Sequence, residues 1–258
     1  MKFLQNLMRS LIATVTLLSA IPAQADADIG SVVEGQLVLG KRTFALPPGR
    51  WVVVNSSETT TSLDNGTRGA ISKAQYLVLT DADNKLIAAA SIRSTLASTH
   101  VATWNDATCD RKDTLFRDAL DGNFSFPACL LVNHITSFWN AGVPSNEYDK
   151  KIWSWYQEKK IALPKTAIAS YYLKYYAGDF VQVRYWLNPE VVGIPADTAT
   201  AWNQSQWHPD LIKSSPDRVR YIDAVKSWSN TLVSANRASL YDGRPNVPSL
   251  PALPSLVK

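Results

Sequence analysis

Residues 167–187 read AIASYYLKYYAGDFVQVRYWL, and this stretch decides the fold. Two runs rich in aromatic and β-branched residues, Ala167–Tyr176 and Phe180–Leu187, flank Ala177-Gly178-Asp179. Such runs, broken by a Gly-containing turn, pair as an antiparallel hairpin. A three-residue turn sets Tyr175 near Val181, Leu173 near Val183 and Tyr171 near Tyr185. Tyr171, Leu173, Tyr175, Val181, Val183, Tyr185 and Leu187 then share a core face. Tyr172, Lys174, Tyr176, Phe180, Gln182, Arg184 and Trp186 share the outward face. A two-residue turn slips the register by one and mixes the two sets, so the pattern favours three.

Strand signals continue upstream. Gln36–Leu39 reads as a short strand, Pro47-Pro48-Gly49 as a turn, and Trp51–Val54 as a buried β-branched run. Thr59–Gly69, rich in Thr, Asn, Asp and Gly, reads as a loop. Ala74–Leu79 and Leu86–Ile92 flank Asp81-Ala82-Asp83-Asn84 and predict a second hairpin. Thr114–Leu120 reads as a short helix.

Two segments carry the helical period instead. In 144–160, Pro144 opens the stretch, Ser145 is placed to cap it, and Tyr148, Ile152, Trp155, Tyr156 and Lys159 recur at helical spacing. In 216–240, Ser215 stands at the cap, Pro216 at the first helical position and Asp217 at the positive end of the dipole. Tyr221, Ile222, Val225, Trp228 and Leu232 line one face, while Arg220, Asp223, Ser227, Asn230 and Ser234 lie away from it. The expected fold is α+β: a single domain of antiparallel β-hairpins, two main helices and one disulfide.

The two ends differ from the middle in composition. Met1 to Ala25 reads as a secretory signal: Lys2 and Arg9, an apolar stretch around Leu11–Leu18 too short for a bilayer of ~30 Å, and Ala23-Gln24-Ala25 as cleavage site. An uncleaved anchor is the alternative. At the other end, Pro245, Pro248, Pro251 and Pro254 recur every third residue, as do Val247, Leu250, Leu253 and Leu256. That is the period of polyproline II, with prolines on one edge and aliphatics on another. Residues 244–258 are thus either a free extension or a strap that docks its leucines. The division is 1–25 signal peptide, 26–243 α+β domain and 244–258 Pro/Leu-rich tail, with 140–146 as an alternative boundary.

Composition limits function. Of 258 residues, 46% are hydrophobic and 10% aromatic, which excludes a disordered chain. Lys2 and Arg9 fall in the signal, so residues 26–258 carry 24 Lys and Arg against 22 Asp and Glu. A net charge of +2 is no footprint for nucleic acid. No later segment approaches ~18 uncharged apolar residues, so no stable membrane insertion is expected after cleavage. The location expected is exported, periplasmic or extracellular. There Cys109 and Cys129 should form a disulfide closing a ring of about 20 residues, worth roughly 3 kcal/mol. The alternative, a metal site from His100, Cys109, Cys129 and His134, lacks the close ligand pairs of common zinc sites.

Catalytic signatures are scarce. Gly-x-Ser-x-Gly, phosphate-cradling glycine loops, His-Glu-x-x-His and Cys-x-x-Cys are all missing. No cofactor or metal is expected. His134 is the weak candidate for a general base, because only His100, His134 and His208 exist to serve one. Asp106, Asp110, Asp113 and Glu190 are candidates for a glycosidase pair. The stronger anomaly is aromatic: nine Trp and ten Tyr, concentrated after residue 138. The outward hairpin face nominates Tyr172, Tyr176, Arg184 and Trp186 as ligand-binding residues, with Trp202 and Trp207 adding to such a surface. Alternatively, the 216–240 helix covers that face. Asn55, Asn65, Asn123 and Asn203 fit the glycosylation acceptor pattern. The expected function is a non-enzymatic protein that binds a glycan or an envelope partner. A small exported hydrolase with a site near His134 is the alternative.

Overall fold

A computed structural model of the chain describes residues 26–62, 68–97, 107–121, 127–136, 138, 144–176, 178–242 and 247–256. Residues 1–25, expected to be a signal peptide, and His100, Asp106, Asn65 and Asn123 lie outside the described residues. The strands are β1 (Val32–Val33), β2 (Gln36–Leu39), β3 (Arg42–Ala45), β4 (Trp51–Ser62), β5 (Arg68–Thr80), β6 (Leu86–Ala97), β7 (Phe116–Asp121), β8 (Ala128–Thr136), β9 (Thr166–Tyr176) and β10 (Asp179–Leu187). Two long helices join them, α1 (Glu147–Glu158) and α2 (Pro216–Asp242). Eight strands form one antiparallel sheet in the order β1-β4-β5-β6-β10-β9-β8-β7, and β2 pairs with β3 as a separate hairpin. The chain lays down β4-β5-β6, crosses to the far edge at β7, and returns through β8 and β9 until β10 meets β6. The fold is α+β with most of its mass in the sheet.

The sheet buries one face along most of its length. Val181, Val183, Tyr185, Leu187, Ile168 and Tyr172 meet Tyr221, Ile222, Val225, Trp228 and Leu232 of α2, whose other face stays exposed. The Trp228 indole stands at 89° to the Tyr185 ring with centroids 5.1 Å apart. The β2-β3 hairpin closes the same layer with Leu37, Leu39 and Phe44. Arg42 is carried into this layer but keeps its charge satisfied, with Asp179 at 2.7 Å and the Ser94 hydroxyl at 2.9 Å. A buried charge without such partners would be costly.

Residues 247–256 form neither helix nor strand, yet they are docked. Val247 and Leu250 are buried, and Leu253 and Leu256 pack against the α2 layer. The Trp228 indole N–H donates to the Pro251 carbonyl at 3.4 Å. For these residues the three-residue period serves as a strap.

The opposite face is covered only at its ends. At one end α1 seats Ile152 and Tyr156 on Tyr76, Val78, Ala89 and Ala167. At the other, Cys129, Leu131, Leu173, Tyr175 and Phe180 cluster beside Cys109. Cys109 and Cys129 are joined as expected, with Cα atoms 5.6 Å apart. That link consumes both thiolates of the four-residue metal alternative.

Several local expectations are corrected. The hairpin turn has two residues, not three: Tyr176 pairs with Asp179 and Tyr175 with Phe180. Gly178 supplies a φ of 86° at the second turn position, which an L side chain adopts poorly. Tyr171, Leu173 and Tyr175 therefore share a face with Phe180, Gln182, Arg184 and Trp186, and Tyr172 and Lys174 face the α2 layer. The misleading residue is Lys174, which reads as solvent-facing but is buried and ion-paired to Asp121 at 2.8 Å. Thr114–Leu120 is not helical: β7 runs there as a ladder against β8, and the helical turn is Ala107–Asp110. Thr59–Ser62 and Arg68–Gly69 belong to strands, because β4 and β5 continue pairing past the expected loop boundary. The cap of α1 is Asn146, not Ser145; its side chain accepts from the Asp149 amide at 2.8 Å.

Candidate functional site

Between α1 and the disulfide end, the second face is left open. Its composition follows from strand alternation. On β6, Ala90 and Ile92 enter the buried layer, while Ser91 and Arg93 turn the other way. Cross-strand register then assembles a surface from single residues of separate strands. Ser91 lies opposite Arg184, and Arg184 opposite Tyr171. One step along, Ser57, Ala74, Arg93 and Gln182 stand side by side. Tyr148 of α1 leans over this row, held by its carbonyl, which accepts from Asn55 Nδ2 at 2.9 Å.

Two cavities result. One, of about 290 Å³, is lined by Ser57, Thr59, Ala74, Ser91, Arg93, Tyr148, Tyr171, Gln182 and Arg184. The other, of about 310 Å³, is lined by Arg111, Thr114, Leu131, Asn133, His134, Ile135, Thr136, Ala169, Tyr171, Arg184 and Trp202. Tyr171 and Arg184 line both, so the cavities are contiguous across their stack. The Arg184 guanidinium lies 4.6 Å from the Tyr171 ring centroid and 5.5 Å from that of Trp186. Arg93 lies 5.4 Å from the Phe180 ring and donates through Nε and Nη2 to the Ser72 hydroxyl. Burial, followed by the Asp149 charge, pushes the Tyr148 hydroxyl up to about 12, so it remains a neutral group.

The residues nominated from the sequence divide accordingly. Arg184 lines both cavities, and Trp186 supports it from below, packed with Phe138 and Tyr76. Tyr172 is 1% exposed under α2 and is closed to a ligand. Tyr176 is exposed, but on the other side of the sheet. Trp207 is fully buried against Tyr221, so it adds nothing to a surface. Trp202 does line a cavity. Sequence reading missed Arg93, Ser91, Ser57 and Tyr148, and placed Tyr171 in the core. The alternation Ser91-Ile92-Arg93 was the available signal, cut short by ending that strand at Ile92.

His134 is poorly placed for proton transfer to a bound molecule. Its ring stacks on Trp202 with centroids 5.1 Å apart, and Nε2 engages the Trp202 carbonyl at 3.2 Å. Nδ1 has no hydrogen-bond partner and is sealed from water. Burial foremost, with His208 nearby, lowers its pKa against the pull of that carbonyl and Asp197. Burial alone would raise the Asp197 carboxyl, but donors from Ser205, Ala199 and Gln206, with Arg218, outweigh it and hold it below the usual range. The acidic candidates do not converge: Asp113 pairs with Arg111, Asp110 with Arg117, and Glu190 accepts from the Lys165 amide. Among the described residues, no group of three or more His, Cys, Asp or Glu could hold a metal ion. Among the described residues, no helix is long and apolar enough to cross a membrane. Asn55 is buried with its amide nitrogen committed, so a folded chain cannot present it for glycosylation; Asn203 is exposed.

No protein-family model matches the chain, and no curated protein or solved structure matches it either.

Proposed function

We propose that the chain is an exported, non-enzymatic binding protein whose ligand, a glycan or a chain-like portion of an envelope partner, seats on the open sheet face. The observation that supports this most is the pair of contiguous cavities of about 310 and 290 Å³ sharing Tyr171 and Arg184. Each is near the lower end of the range for small-molecule sites, and together they suit an extended ligand. Aromatic rings beside hydroxyl and amide groups offer stacking and polar contacts at once. Most of the walls are strand residues, and sites on strands are more rigid than sites on loops. The hydrolase alternative is less well supported, because Nε2 of His134 is committed and Nδ1 is shut off from solvent.

The test is recovery of the exported chain, residues 26–258, from its own host, followed by mass spectrometry of bound glycans and proteins. Tyr171→Ala is expected to lose the bound species, while Tyr176→Ala, on the other side of the sheet, retains it. Retention by Tyr171→Ala, or turnover of a captured species that depends on His134, would overturn the proposal.

A further inference from the structure

Resting on that reading of the open face, we infer that its ligand is anionic: a saccharide bearing a carboxylate or phosphate, with the oxyanion drawn into the cavity that Arg93 and Arg184 both line. The two arginines are diagonal neighbours on β6 and β10, since Arg93 pairs with Gln182 and Arg184 with Ser91. Diagonal neighbours on one face sit roughly 7–8 Å apart, within reach of long side chains. Two cations so placed repel each other unless a counter-charge is supplied.

The described residues supply none. Arg42, Arg50, Arg111, Arg117 and Arg220 each have a carboxylate within 4.0 Å. Among the described residues, neither Arg93 nor Arg184 has one, and no Asp or Glu lines the cavity they share. Both guanidinium groups are nonetheless held in place. Arg184 is stacked on Tyr171 and Trp186, and contact with ring faces leaves the N–H edge open for a bidentate oxyanion. Arg93 commits Nε and one Nη2 proton to Ser72, which leaves three of its five N–H donors. Around them, Ser57, Thr59, Ser91 and Gln182 present groups that suit sugar hydroxyls. A positive site that is rigid before binding loses little side-chain entropy on binding.

The experiment uses the disulfide-intact chain of residues 26–258 with three probes: a uronic-acid trisaccharide, a sugar phosphate, and a neutral trisaccharide of the same ring size. Calorimetry measures affinity, and amide shifts of Arg93, Gln182 and Arg184 locate the site. The expected result is binding of one or both acidic probes at least about tenfold tighter than the neutral one, weakening as salt is raised. Whichever acidic probe wins identifies the oxyanion. Arg93→Gln and Arg184→Gln should each lose at least about tenfold, with near-ultraviolet circular dichroism unchanged, and Arg184→Lys should recover part of the affinity. Equal binding of the neutral trisaccharide, insensitive to both Gln variants, would overturn the anionic assignment while leaving the open face as a saccharide site. Absence of any amide shift with the acidic probes would also overturn it. The capture experiment on Tyr171→Ala fails or succeeds separately.

Discussion

On β6, Ile92 is fully buried beneath the α2 layer, while Ser91 and Arg93 on either side of it remain partly exposed on the opposite face. The same contrast runs across β10, where Val181, Val183 and Tyr185 are buried and Gln182 and Arg184 are not. One face is a mainly apolar layer, covered along most of its length by α2, the β2-β3 hairpin and the tail. The other is sealed only at its ends, by α1 and by the disulfide cluster. The difference teaches that the sheet derives its stability from one side and keeps an uncommitted, rigid surface on the other. If so, substitutions on the two faces should separate into losses of stability and losses of binding.

The largest stability effect is expected at Trp228→Ala. Its ring is 5% exposed, meets Tyr185 edge-on and bonds to the tail. Large-to-small changes of buried aromatics cost about 3–5 kcal/mol. Urea unfolding followed by fluorescence measures this, and a loss below about 1 kcal/mol would break the description of this face as the stabilising one.

The tail comes next. Leu250 is 3% exposed on the α2 layer, so Leu250→Ala should cost about 2–3 kcal/mol, near the low end for buried leucines because the strap can shift. Leu253→Ala should cost less, since that residue is only partly buried. Equal and negligible effects at both positions would mark residues 247–256 as an ornament rather than part of the layer.

How much of this was legible in the sequence follows from how each residue signals its environment. The face of α2 was readable because one side is mostly apolar, with Ser229 the buried exception, and the other mostly polar, from Tyr221 to Leu232. The disulfide was readable because only two cysteines exist. The hairpin register was not, because both faces of β9 carry large apolar residues, and period two cannot choose between them. Lys174 tipped the reading the wrong way: its charge suggests solvent, whereas Asp121 from a distant strand neutralises it inside the protein. That partner is 53 residues away in sequence and leaves no local trace. The open face was half legible. Arg184 and Trp186 were found from their own strand, but Arg93, Ser57 and Tyr148 join them only through β4, β6 and α1, which the sequence does not place together.

A smaller effect is expected from pH, and it sharpens the comparison because His134 sits where the two faces meet. The folded state lowers the His134 pKa below its ordinary 6.5, chiefly by burial, so the native chain holds fewer protons there than the unfolded chain. Stability from this source is complete above about pH 6.5 and declines as pH falls below it, levelling off at the folded pKa. Asp197, held below its ordinary 3.8, adds a second decline at lower pH by the same sign. His134→Phe keeps the stack on Trp202 and should flatten the first decline while leaving the second. Melting temperatures taken from about pH 7 down to about pH 2.5 check this, and an unchanged slope between about pH 7 and about pH 4 would show that His134 does not carry it.

The smallest stability effect belongs to the open face, and it is the most discriminating. Arg184→Gln removes a half-buried cation whose neighbours are ring faces, with no carboxylate left unpaired among the described residues. Surface changes of this kind usually fall within about 0.5 kcal/mol. The sign should favour the variant at low salt, because removing one of two diagonal cations relieves repulsion with Arg93. Raising salt should erase that advantage by screening the pair. A site built for stability behaves in the opposite way, losing stability when its charge is removed and gaining nothing from salt. Urea midpoints of Arg184→Gln against the parent chain at two ionic strengths therefore ask whether the arginine pair is retained at a cost to the fold. If the variant is less stable at both strengths, the guanidinium is a packing element of the Tyr171 and Trp186 stack, and the division of labour between the two faces does not hold at this position.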